Sequence, residues 1–186
     1  MNSITRFIEK KLGLKVNAEK SKITKPSGIK YLGFGYWKDN KANKWKARVH
    51  ETSFKRFKDK IKKLTTRKWS VSLEYRIKKI NEVTRGWINY FKIASMKSKL
   101  RSFSEHLRTR LRIICWKMWK VPKKRQWALR KMGIVKDLAR LTSYCVNRYY
   151  FIATKTCLVR AITKERLSKT GLIDPYDYYI SRTCVN

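Results

Sequence analysis

Three apolar stripes, each repeating at three and four residues, constrain this chain more than any other feature. Phe54, Phe57, Ile61 and Leu64 form the first, with Lys55, Arg56, Lys58, Lys60, Lys62 and Lys63 covering the other positions. Leu73, Ile77, Ile80, Thr84, Trp87, Ile88 and Phe91 form the second, and Leu100, Phe103, Leu107, Leu111, Ile114 and Met118 the third. Such spacing places one side of a helix in a core and the rest in water. Short connections between the stripes, a turn at 65–70 and a break before Leu100, predict a three-helix bundle. Thr52 or Ser53 is the expected N-cap of the first helix.

Outside the bundle the periods differ. Ile4, Phe7, Ile8 and Leu12 predict a short helix over 3–14, closed by Gly13. The aromatic-rich run 29–37 and the alternating run 45–50, separated by a polar loop, predict a β-hairpin. After Pro122, helices are expected over 123–132, stopped by Gly133, over 135–141 and over 156–169, while 144–153 fits neither pattern. The expected fold is mainly α: an N-terminal helix and hairpin over 1–50, the bundle over 51–121 and a basic helical tail over 122–186.

Charge narrows the function. The chain has 48 Lys and Arg against 12 Asp and Glu, a formal net charge of +36. No acid occurs between Glu105 and Asp137, a stretch that holds eleven cations and Trp116, Trp119 and Trp127. A folded chain so charged repels itself, and a polyanion relieves the repulsion. Phosphate neutralisation with counterion release is the expected driving force, with aromatic rings as stacking surfaces. The 42% apolar content and seven Trp exclude a disordered basic tail. The longest apolar run, Tyr149 to Ala153, is far short of the roughly 20 residues of a membrane span, and no leader is visible, so the cytoplasm is the expected location.

The twelve acids are scattered, with no cluster of the kind that two-metal catalysis requires. Asp174-Pro-Tyr-Asp177 reads as a turn. The four cysteines lack zinc-site spacing and read as unpaired thiols. Neither a metal nor a cofactor is expected, and the chain reads as one that binds rather than catalyses.

Several phrases carry a family resemblance. Leu14-Lys15-Val16-Asn17-Ala18-Glu19-Lys20-Ser21-Lys22 and Tyr31-Leu32-Gly33-Phe34 resemble the last block of reverse transcriptases encoded by group II introns. The runs Phe54 to Ile61, Arg85-Gly86-Trp87-Ile88-Asn89-Tyr90-Phe91, Leu107 to Lys120 and Pro122 to Arg125, with Gly171-Leu172, are similar to that family's thumb, or maturase, and C-terminal regions in the same order. The resemblance implies an RNA-binding role in intron splicing and mobility, with structured intron RNA or an RNA–DNA duplex as partner. The family's fingers and most of its palm, with the metal-holding Tyr-x-Asp-Asp tetrad, would precede residue 1. The chain is therefore expected to be the C-terminal part of a compact maturase, without polymerase activity of its own. Completion of a split RNA-directed DNA polymerase by a separate fingers and palm polypeptide is the rival expectation, and a non-specific structural RNA binder is another.

The expected nucleic-acid contacts are Lys20 and Lys22 in the loop of the last block, Lys55, Arg56 and Lys63 on the first bundle helix, and Arg85, Asn89 and Tyr90 on the second. Arg108, Arg112, Lys117, Trp119, Lys120, Lys123, Lys124 and Arg125 complete the set. Because i and i+2 diverge on a helix, two of Arg108, Arg110 and Arg112 are expected to face phosphate. Trp87 and Phe91 are expected in the core. Trp116 and Trp119 suit either packing against the tail or stacking on bases. Gly33 and Gly35 either admit another backbone or relieve crowding in the hairpin.

Overall fold

A computed structural model describes residues 2–17, 19, 21 and 23–183. Lys20 and Lys22, two of the expected contacts, lie outside the described residues. The architecture is mainly helical, as expected. A first helix, α1 (Asn2–Leu12), ends at Gly13, whose φ of +62° suits glycine at a helix C-terminus. Two antiparallel strands, β1 (Phe34–Asp39) and β2 (Lys44–Val49), pair from Phe34↔Val49 to Asp39↔Lys44. The bundle follows: α2 (Glu51–Leu64), α3 (Leu73–Phe91) and α4 (Lys97–Met118). No helix among the described residues is long and apolar enough to cross a membrane.

The N-cap of α2 is His50 and not Thr52 or Ser53. Its Nδ1 accepts from the Thr52 amide at 3.2 Å. Ser53 is needed elsewhere, since its hydroxyl donates to the Gly33 carbonyl at 3.1 Å and seats the hairpin on the bundle. Gly33 has φ +83°, and a Cβ there would meet Ser53 Oγ at 2.8 Å and Phe91 Cζ at 3.1 Å. The close approach at Gly33 is thus to the chain's own bundle. Tyr90 reinforces this joint by donating to the Leu32 carbonyl at 3.0 Å and packing on Phe34.

Most positions of the three stripes are buried as expected, though Leu64, Leu73 and Trp87 are half-buried and Met118, at the end of the third stripe, is exposed. Ile61, Ile80, Ile88, Leu100, Leu107 and Leu111 are at 1% exposure or less. Each such aliphatic side chain contributes roughly 1.5–3 kcal/mol through removal from water. Buried residues continue past Pro122 without interruption: Leu129, Ala139, Ile152, Leu158, Leu167, Leu172 and Tyr179 join the same cluster. They belong to α5 (Pro122–Lys131), α6 (Lys136–Ser143), α7 (Tyr149–Thr154), α8 (Thr156–Ala161), α9 (Lys164–Lys169) and α10 (Pro175–Thr183), or to the connections between them.

Two tail expectations are corrected. The single helix expected over 156–169 is two, because Thr163 leaves helical geometry and caps α9, its Oγ1 accepting from the Arg166 amide at 3.3 Å. The break lets Leu158 and Leu167 both reach the core. The Asp-Pro-Tyr-Asp stretch starts a helix and is no mere turn. Asp174 Oδ1 accepts from the amides of Tyr176 and Asp177, and Pro175 occupies the first position of α10. That helix returns onto the bundle, where Tyr179 donates to the Ala94 carbonyl at 2.8 Å.

The described cysteines, Cys115, Cys145 and Cys157, are unpaired thiols. Burial pushes the Cys115 thiol up to about 11. Only roughly one such thiol in ten thousand is ionised at pH 7, and the thiolate is the reactive species. We expect Cys115 to resist iodoacetamide in the native protein and to react at once in denaturant. Peptide mass spectrometry of a time course reads this directly, and early native labelling of Cys115 would contradict the packing.

Candidate nucleic-acid interface

The connection between α2 and α3, residues 65–72, is organised by cations from three places. Arg76 is buried and donates to the carbonyls of Leu64, Thr66 and Trp69. Arg110 donates to Thr65 Oγ1 at 2.5 Å and to the carbonyls of Lys62 and Thr65. Lys117 donates to the Arg67 carbonyl at 2.7 Å. A turn with the carbonyls of Thr65, Thr66, Arg67 and Trp69 met by donors from α3 and α4 is held in one shape, and its own Arg67 and Lys68 are exposed. Burial lowers the pKa of Arg76, and burial followed by the charge of Arg67 lowers that of Arg110.

Two grooves border this turn and share Arg67. One, of about 510 Å³, lies between the turn, Arg110 and Ile113 of α4 and residues 147–151. The other, of about 280 Å³, lies between Trp69, Ser70 and Val71 on one side and Ile114, Lys117, Met118 and Lys120 on the other. Neither is lined by a carboxylate. Cations held close together on a rigid frame, without acids to answer them, suit a phosphate backbone. The groove of about 600 Å³ between α2 and α3 differs, since Glu82 stands in it opposite Arg56 and Lys60.

Residues 54–133 match the family model of the group II intron, maturase-specific domain. Over this stretch the chain is similar to that domain. The match runs from α2 to Gly133, and it supports a maturase role in group II intron splicing. No curated protein matches the chain.

The structure sorts the expected contacts among the described residues into two groups. Lys55, Arg56, Lys63, Arg85, Lys117, Lys120, Lys123 and Lys124 are exposed. Arg56, Lys60 and Lys63, at i, i+4 and i+7, form a row along α2 that leads toward Arg67. Arg108, Arg112 and Arg125 are instead bonded to groups of the fold itself. Arg112 is 8% exposed and donates to the Ile162 carbonyl at 3.1 Å. Arg125 is 2% exposed, donates to the carbonyls of Trp119, Ser143 and Cys145, and lies over the Trp116 ring. Arg108 is paired with the buried carboxylate of Asp174 at 2.6 Å. Of Arg108, Arg110 and Arg112, it is Arg110 that lines the acid-free groove of about 510 Å³ beside the turn.

The aromatic expectations divide in the same way. Trp116 is fully buried and donates to the Cys145 carbonyl, so it packs. Trp119 is half-buried and lines an apolar groove of about 360 Å³ with Leu73, Met132 and Leu167. Asn89 accepts from the Tyr178 hydroxyl at 3.1 Å, and Tyr90 is bonded to Leu32, so both are occupied within the fold. Trp87 is half-buried and stacks on Phe57 at 4.3 Å. We expect Trp87→Ala to cost about 2–3 kcal/mol, below the roughly 3–5 kcal/mol of a fully buried ring, and Tyr90→Ala about 1 kcal/mol. Denaturant titration of both variants ranks them, and a reversed order would contradict the packing of α3.

Arg67, Arg148 and the aromatics after it line the larger groove but are absent from the contacts expected from sequence. Arg148-Tyr149-Tyr150-Phe151 fell in a segment without a readable period, although a cation next to three aromatics is itself a signal of stacking chemistry.

Proposed function

We propose that this chain assists group II intron splicing by binding folded intron RNA on the surface around Arg67. The meeting of two acid-free grooves at one rigid, cation-braced turn carries this reading. Lys63, Arg67, Lys117 and Lys120 would neutralise phosphates where RNA helices crowd together, lowering the cost of close packing without covalent chemistry. An RNA–DNA duplex presents the same phosphates to the same cations. Filter binding of intron RNA across a salt series tests the proposal. Affinity should fall steeply with salt, with a log–log slope of about −0.7 to −0.9 per neutralised phosphate, and a flat dependence would overturn it.

A second reading, completion of a split polymerase, has an observation of its own. No residue of α1 is buried, and Ile4, Phe7 and Leu12 are exposed along it. A fingers and palm polypeptide is the kind of partner that would cover such a stripe. Co-expression with such a polypeptide should give a complex that Phe7→Glu disrupts. Separate elution of the two would remove this reading and leave RNA binding intact.

A further inference from the structure

The groove beside α7 has more than charge. Tyr149, Tyr150 and Phe151 all line it, with Tyr150 at 65% and Phe151 at 44% exposure. Two of the three rings already have a cation: Arg67 lies 4.6 Å from the Tyr149 centroid, and Lys155 lies 4.3 Å from that of Phe151. The Tyr150 ring has no partner among the described residues. Phosphate binding explains the arginines but gives no reason to hold a large aromatic ring in water.

We propose that this groove seats one unstacked nucleotide of single-stranded or looped RNA, with its base on Tyr150; this rests on the RNA-binding reading above. Proteins read RNA chiefly at unpaired bases, by stacking them on aromatic or guanidinium planes. The volume of about 510 Å³ suits a ligand of that size. Thr66 and Asn147 line the groove too, with a hydroxyl and an amide that can bond a base edge. Arg67 and Arg148 are exposed beside them for the flanking phosphates. Arg110 and Arg67 oppose one another here with no carboxylate between them, and a phosphate relieves that repulsion.

The test uses the full chain, a short single-stranded RNA carrying one 2-aminopurine and a fully paired RNA duplex. Stacking should quench the 2-aminopurine. Tyr150→Ala should abolish the quench and weaken single-strand binding by about 5- to 150-fold, the span of one base stack, while leaving duplex affinity and the salt slope unchanged. Tyr150→Phe should retain both quench and affinity. Undiminished single-strand binding by Tyr150→Ala, an equal loss on the duplex, or a Phe variant as weak as the Ala variant would each overturn the proposal. Salt-dependent binding of both RNAs without any quench sinks the nucleotide site alone. Failure to bind either RNA sinks the broader reading with it.

Discussion

Replacing Lys63, Arg67 and Lys120 together by Gln should flatten the salt dependence of RNA binding by about two to three units of log–log slope. All three are exposed, and the side chains of Lys63 and Lys120 make no bond within the described fold. At 0.1 M salt such a change in slope corresponds to about two to three orders of magnitude in affinity, and at 1 M salt the variant and the parent should nearly converge. The loss should be similar on unrelated RNAs, because phosphate contacts carry no sequence information. Thermal stability should hold, since none of these side chains is buried. An unchanged slope would mean that the cations around the turn are only solvated.

Arg125→Ala should act in the opposite way, by unfolding the tail and not through the salt dependence of RNA binding. The side chain is buried, meets three carbonyls and covers Trp116, so its removal strands those carbonyls and opens a void between α4 and α5. A loss of about 3–5 kcal/mol is expected, a large share of the stability of a domain this size. Arg125→Met should recover packing but not the hydrogen bonds, and should fall between the two. Hydrogen exchange at Leu129, Ala139 and Ile152 would report the opening. A variant that folds like the parent but loses one unit of salt slope would restore Arg125 to the RNA surface.

The bundle was legible because its signal is local. Phe54, Ile61, Ile80, Leu107 and Leu111 lie in the core where their spacing placed them. The hairpin and the stop at Gly133, with φ +85°, follow from equally local chemistry. Where a nearby group competes for the same hydroxyl or carboxylate, the reading failed. Ser53 was given a cap role and serves the hairpin, and Asp174 was given a turn and starts a helix.

For the interface, sequence alone determined the excess of cations over acids that favours a polyanion as partner, and its ordered phrases pointed to the maturase-specific domain matched over 54–133. It could not determine which cations meet that partner. Periodicity states which side of a helix is apolar, as though the remainder met water. Helix α4 has neighbours on several sides, with α10 and α7 packed against it beyond the bundle itself. Its polar positions are thereby divided, with Arg112 and Arg108 turned to a carbonyl and a carboxylate of the tail, and Arg110 and Lys117 to the turn, Lys117 on the side of the solvent-facing groove. A guanidinium keeps its charge when buried and can satisfy several carbonyls at once, so a row of arginines reads alike whether it braces a fold or grips a phosphate. Only the packing of the tail onto the bundle separates the two.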